Sequence, residues 1–225
     1  MNVLAVTHGS DVGPELVGDV VREHGHTLLE WDIVTQGAPP LDVDVALVFG
    51  GAQNVGEELV HPWLHDEYAA LRRWLDRRTP MLAVCLGAQT LAYATGGAVA
   101  KSAQPYLGFF ETELTDAGAA DPVLGVFPRR FAALNANAYA VSLPDGAVPL
   151  ARSGELEQAF RIGERAWAVQ FHPEVRRDQI VGWFAEEKNP PRPLDELAAE
   201  VDAGIAEWQA YGRALAEAFL RVATV

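Results

Sequence analysis

The sequence predicts an α/β fold: a three-layer sandwich with a mostly parallel central sheet and an added C-terminal helix. Two observations carry this. Over the first hundred residues, short apolar runs alternate with stretches of helical periodicity, the order that builds a parallel sheet covered on both faces. After residues 189–193 (NPPRP), apolar side chains recur at Leu194, Leu197, Val201, Ile205, Trp208, Leu215 and Phe219, an amphipathic helical stripe.

Residues 3–6 (VLAV) read as a buried strand, and a helix follows over 14–23 until Gly25 stops it. Residues 28–33 and 45–49 (VALVF) read as the next strands. Gly50 and Gly51 follow at once, so the backbone turns tightly there. A helix spans 64–77, with Leu64, Tyr68, Leu71 and Leu75 on one apolar stripe. Residues 81–84 (MLAV) form a strand with Cys85 at its end, and 89–95 are helical until Gly96 and Gly97. From 98 to 171 the runs are strand-like, with turns at 116–118 and 144–146, and 166–171 (AWAVQF) is the last strand. The proline-rich 189–193 is a rigid linker that ends any helix before it. The chain is thus expected to divide into a domain over residues 1–188 and a linker with a helical extension over 189–225. The extension's stripe should dock on that domain or on a second copy, making a homodimer.

Composition narrows the classes of function. The 225 residues are 49% hydrophobic, enough for a sizeable core. No run approaches the roughly 18 apolar residues of a membrane span. The N-terminus, MNVLAVTHGS, has no basic leader and is read as a strand rather than a signal peptide. A single cysteine excludes an internal disulfide and suits a reducing cytoplasm. A net charge of −14 repels phosphate backbones and anionic lipid, so neither nucleic acid nor membrane is an expected partner.

One segment places chemistry at a defined point. In Val84-Cys85-Leu86-Gly87-Ala88-Gln89, a buried strand ends, a cysteine follows and a helix starts. The sulfur then sits on a sharp turn at the carboxyl edge of the sheet, where open α/β sheets bind ligands. The helix N-terminus favours an anion there and offers free N–H groups to an oxyanion. Gly87 removes a side chain and lets substrate and backbone approach, as in a nucleophile elbow. The plainer reading of a lone cysteine is a small buried hydrophobe. A second segment, Gln170-Phe171-His172-Pro173-Glu174, puts a histidine just past a strong strand, with a glutamate two residues on that can orient its ring. Alone it also reads as an ordinary loop.

Together the two segments resemble the paired signatures of class I glutamine amidotransferases. Phe49-Gly50-Gly51 upstream fits the same order, as do Pro144-Asp145-Gly146-Ala147, Leu150-Ala151-Arg152-Ser153 and Gln158-Ala159-Phe160-Arg161 before the histidine strand. The likeness covers residues 2 to 185 and is nearest to stand-alone members similar to the amidotransferase domain of GMP synthase. The resemblance implies a flavodoxin-like fold and a catalytic triad of Cys85, His172 and Glu174. Cys85 would attack the glutamine side-chain amide, His172 would shuttle the proton, and Glu174 would orient His172. The N–H groups of Leu86 and Gly51 would form the oxyanion hole, with Gly50, Gln89, Asn137 and Tyr139 also lining the substrate site. No metal and no cofactor is implied.

The sequence departs from the family pattern at Asn137, where relatives often carry a histidine, and at Tyr106-Leu107-Gly108, which lacks an acidic residue common before that glycine. An altered substrate rim is expected. No ATP-pyrophosphatase loop occurs, so the ammonia acceptor would be a separate synthetase subunit, or a γ-glutamyl compound would itself be the substrate. Three readings follow: release of ammonia from glutamine, hydrolysis of another γ-glutamyl amide or peptide bond, and a non-catalytic partner that keeps the fold. His61 and His65, four apart, could share a helix face as metal ligands, but no third ligand accompanies them.

Overall fold

A computed structural model describes residues 1–224. Nine strands form one sheet in the order β2-β1-β3-β4-β9-β8-β7-β5-β6. Five of them, β1 (Asn2–Thr7), β2 (Thr27–Asp32), β3 (Val45–Val48), β4 (Met81–Val84) and β9 (Ala166–Val169), run parallel. Their order follows the flavodoxin-like doubly wound pattern. The remaining strands, β5 (Ala98–Leu114), β6 (Arg130–Ser142), β7 (Val148–Ser153) and β8 (Leu156–Ile162), extend the sheet in antiparallel pairs.

The central parallel strands β3, β4 and β9 are short, wholly apolar and buried because both faces are covered, whereas β2 at the sheet edge is polar and partly exposed. In β4, Leu82 and Val84 point into one core and Met81 and Ala83 into the other, the two-residue alternation of a strand. The first core lies under α1 (Glu15–Glu23), α6 (Arg177–Glu186) and α7 (Leu194–Ala223), around Trp167, Phe171, Trp208 and Phe219. The second lies under α3 (Trp63–Asp76) and α4 (Leu86–Ala94), around Leu4, Trp74 and Leu91. The stripe at the C-terminus therefore packs on its own chain, with Leu197, Val201, Trp208 and Leu215 buried in the same core as the sheet.

Several elements differ from the sequence expectation. The strand read over 28–33 ends at Asp32, whose side chain accepts from the Val34 N–H at 3.0 Å and caps a short helix, α2 (Ile33–Gln36). The turn read over 116–118 opens a second short helix, α5 (Asp116–Ala120), capped by the Thr115 hydroxyl. Helix α4 begins at Leu86 rather than 89, because Cys85 itself occupies the cap position. Helix α3 starts at Trp63 after Pro62, so His61 lies outside it, 3.9 Å from Glu57. The shared helix face that a His61–His65 metal pair needs does not exist. No helix among the described residues is long and apolar enough to cross a membrane.

Candidate active site

Three loops meet where the parallel strands end. The first follows β4. Cys85 adopts φ 53°, ψ −108°, a left-handed conformation rare for a residue with a Cβ. Holding it costs about 1–3 kcal/mol. The turn is held by the Cys85 N–H bonded to the Val169 carbonyl at 2.9 Å and by the Gly87 N–H bonded to the Phe49 carbonyl at 3.1 Å. Position 87 must be glycine: a Cβ there would lie 2.3 Å from the Val48 carbonyl oxygen. The result is a sulfur raised on a sharp strand-to-helix turn, with the first N–H groups of α4 behind it.

The second loop follows β9, the parallel neighbour of β4, with Val84 opposite Val169. Its backbone is pinned by the His172 N–H to the Leu134 carbonyl, 2.9 Å. The His172 Nδ1–H donates to Glu174 Oε1 at 2.8 Å, and both side chains are buried. Trp183 of α6 packs edge-on against the imidazole, ring centres 5.0 Å apart. Nδ1 is thus committed to Glu174, while Nε2 makes no hydrogen bond among the described residues, and His172 and Cys85 line the same cavity. Burial by itself would depress the pKa of His172. The neighbouring Cys85 and Glu174 outweigh it and raise the value from 6.5 to about 10.

The third loop follows β3. Gly50 lies between the two side chains: a Cβ on it would meet His172 Cε1 at 3.1 Å and Cys85 Cβ at 3.5 Å. Gly51 is equally confined, since a Cβ there would lie 2.7 Å from His8 Cβ and 2.8 Å from Leu86 Cδ2. The Gly51 and Leu86 N–H groups donate to no backbone or side-chain acceptor among the described residues.

A cavity of about 650 Å³ opens over these loops, and Gly51, Cys85, Leu86, Gln89, Asn137, Tyr139 and His172 all line it. Gly50 stands behind the wall, against Cys85 and His172. Gln89 is held by Gln170, its Nε2 donating to Gln170 Oε1 at 3.1 Å. Asn137 donates to the Tyr139 carbonyl at 3.0 Å, and its own buried oxygen is unpaired. The sequence-predicted residues therefore gather on one rim. Among the described residues, no group of three His, Cys, Asp or Glu side chains could hold a metal ion.

Sequence reading missed three contributors. Trp183 and Lys188 form part of the cavity wall, from α6 and the segment after it. His8 follows β1 at the same sheet edge and is buried. Its Nδ1–H donates to the Gly50 carbonyl at 2.9 Å and its Nε2–H to the buried Glu67 of α3. Burial opposes the charge on His8, but Glu67 and the Gly50 carbonyl raise its pKa. A polar residue ending an otherwise apolar strand was the available signal.

An elbow cysteine and a buried, carboxylate-bonded histidine at the carboxyl edge of a doubly wound sheet define a class of architecture, the α/β fold with a nucleophile-elbow turn. The particular family follows from comparison with known proteins. The family model for glutamine amidotransferase class-I matches residues 20–180. The chain belongs to this family. It is 29% identical over 173 residues to a glutamine-hydrolyzing GMP synthase subunit of Methanoculleus marisnigri, covering 69% of this chain and 87% of that one. It is 30% identical over 183 residues to the glutamine-hydrolyzing GMP synthase of Thermosipho melanesiensis, covering 79% of this chain. The match spans only 33% of that enzyme, and 22% of the Aeropyrum pernix GMP synthase. In fold, the chain is similar to the crystal structure of a glutamine amidotransferase from Thermotoga maritima, with a TM-score of 0.84, 23% identity and 97% of each chain covered.

Proposed function

We propose that this protein is a glutaminase-type cysteine hydrolase that releases ammonia from the side-chain amide of glutamine. The observation that carries the proposal is His172, bonded through Nδ1 to Glu174, its Nε2 unpaired among the described residues, and set across Gly50 from Cys85. In the reaction, the proton of Cys85 already rests on His172, whose raised pKa favours the imidazolium, and the thiolate sulfur attacks the amide carbon. The carbonyl oxygen becomes an oxyanion, held by the Leu86 and Gly51 N–H groups. Collapse breaks the C–N bond, and His172 returns the proton to the leaving ammonia. A water then attacks the γ-glutamyl thioester, gives its proton to His172, and frees the glutamyl carboxyl group and the Cys85 thiolate, which restores the starting pair. Glu174 holds the ring in the required tautomer and stabilises the imidazolium. Gln89, Asn137 and Tyr139 line the space for the glutamyl group. A separate synthetase subunit is the proposed ammonia acceptor.

The test is ammonia release from glutamine by wild type and by Cys85→Ala, alone and with candidate synthetase subunits. Cysteine-dependent release is expected, and its absence under every condition removes the proposal. A second reading, hydrolysis of a larger γ-glutamyl amide, is favoured by the cavity of about 650 Å³, much larger than a glutamine side chain. A panel of γ-glutamyl amides separates the two, since strong preference for free glutamine defeats the second.

A further inference from the structure

We propose that His8 is a positioning residue that fixes the Gly50–Gly51 peptide so that the Gly51 N–H points into the cavity as an oxyanion donor. This rests on the acyl-transfer reading above. The peptide group is planar and trans, so its C=O and N–H point in opposite directions. The carbonyl of Gly50 is held by His8 Nδ1 at 2.9 Å. The N–H of Gly51, on the far side of the same plane, is therefore directed away from His8, and Gly51 lines the cavity. Two consecutive glycines have no side chains to resist rotation of the peptide between them. The bond from His8 supplies that resistance.

His8 is itself held in place. Its Nε2–H donates to Glu67, and its ring lies against Trp63 with centres 5.1 Å apart. The other oxygen of Glu67 accepts from the Thr90 hydroxyl, which also lies 3.0 Å from the Gly87 carbonyl. His8, Glu67 and Thr90 are all buried. Thr90 and Gly87 belong to α4, the helix whose first N–H, on Leu86, is the other proposed donor. A chain of hydrogen bonds thus runs from the Gly50 carbonyl through His8 and Glu67 to Thr90, tying the loop that carries one proposed donor to the helix that carries the other. None of these three side chains lines the cavity, so they act through the backbone rather than on substrate.

The experiment uses the full chain and four proteins: wild type, His8→Leu, His8→Asn and His8→Gln. The amide nitrogen of Asn reaches the place of Nδ1 and can donate to Gly50, whereas that of Gln reaches the place of Nε2 and meets Glu67. Steady-state hydrolysis is measured on L-glutamine and γ-glutamyl-p-nitroanilide, beside the rate of Cys85 alkylation by iodoacetamide, a displacement that forms no oxyanion. His8→Leu is expected to lose about 100-fold in kcat, with KM and alkylation rate within about threefold of wild type. His8→Asn should recover kcat to within about tenfold of wild type, and His8→Gln should not. If His8→Leu lacks the wild-type circular dichroism spectrum and thermal transition, the Asn and Gln pair decides. A His8→Gln protein as active as His8→Asn, or a folded His8→Leu protein as active as wild type, overturns the inference. A wild type that hydrolyses neither amide defeats the acyl-transfer reading, and this inference with it, whereas an active wild type with insensitive His8 variants defeats this inference alone.

Discussion

Cys85 is held in a backbone conformation that its own side chain disfavours, and that strain is measurable. At φ 53° the Cβ crowds the following carbonyl, a clash that glycine lacks. Cys85→Gly is therefore expected to be about 1 kcal/mol more stable than Cys85→Ala in chemical denaturation, although both lack the sulfur. Equal stabilities would mean that the turn carries no strain. At His172, Glu174→Gln keeps the shape of the orienting side chain and removes its charge. A loss of at least about 100-fold in kcat is expected for amide hydrolysis, read from initial rates. The raised pKa of His172 also sets a direction for stability. The folded value is about 10 against 6.5 for the free side chain, so the folded state binds the proton more tightly. Its contribution is fully present below about pH 6.5 and fades as the pH rises through about 10. The gap in melting temperature between wild type and His172→Gln should shrink across that window, and a gap that widens would contradict the assignment.

At the scale of elements, two backbone contacts bring the loops together, and each depends on a glycine. Gly87 lets α4 settle on β3, where a Cβ would come within 2.3 Å of the Val48 carbonyl. Gly212 lets α7 settle on the loop after β9, where a Cβ would come within 2.0 Å of the Pro173 carbonyl. Beside that contact, Trp208 Nε1–H donates to the His172 carbonyl at 2.7 Å. The long C-terminal helix therefore braces the loop that carries the histidine. Trp208→Phe keeps most of the packed ring and leaves the buried carbonyl unpaired. It is expected to lose about 1–3 kcal/mol in denaturant unfolding. A stability within experimental error of wild type would show that α7 packs without bracing the loop.

At the scale of the whole molecule, the parallel half of the sheet positions the site and the antiparallel half encloses it. β3, β4 and β9 end side by side and supply Gly51, Cys85 and His172, while β6 contributes Asn137 and Tyr139 to the opposite wall. The extension beyond residue 188 closes the first core, with Leu197, Val201, Trp208, Leu215 and Phe219 buried against the sheet's own residues. Each such side chain contributes about 1.5–3 kcal/mol by burial, so their sum is comparable to the whole net stability of a usual domain. A chain cut after Lys188 is expected to lose its cooperative thermal transition, and one that keeps it would mark α7 as a separate attachment.

The elements that were legible in the sequence are those set by local chemistry. Strand and helix alternated through the first hundred residues because apolar period and length are properties of short segments. The elbow at Cys85 and the His172–Glu174 pair were legible because each is contained within six residues. His8 was not legible: its role depends on Gly50, Glu67 and Thr90, which the chain delivers from three other elements. Nor could the sequence say whether the C-terminal stripe would cover its own sheet or a second copy, because amphipathicity names a face and not its partner. The sequence by itself determined the α/β class, the strand that ends at the cysteine and the histidine that a glutamate orients. Only the tertiary structure decided that these meet across Gly50, and that a buried histidine from the first strand holds that glycine's carbonyl. Hydrophobic period is written along the chain, whereas the pairing of polar groups from distant segments exists only once the sheet has brought them to one edge.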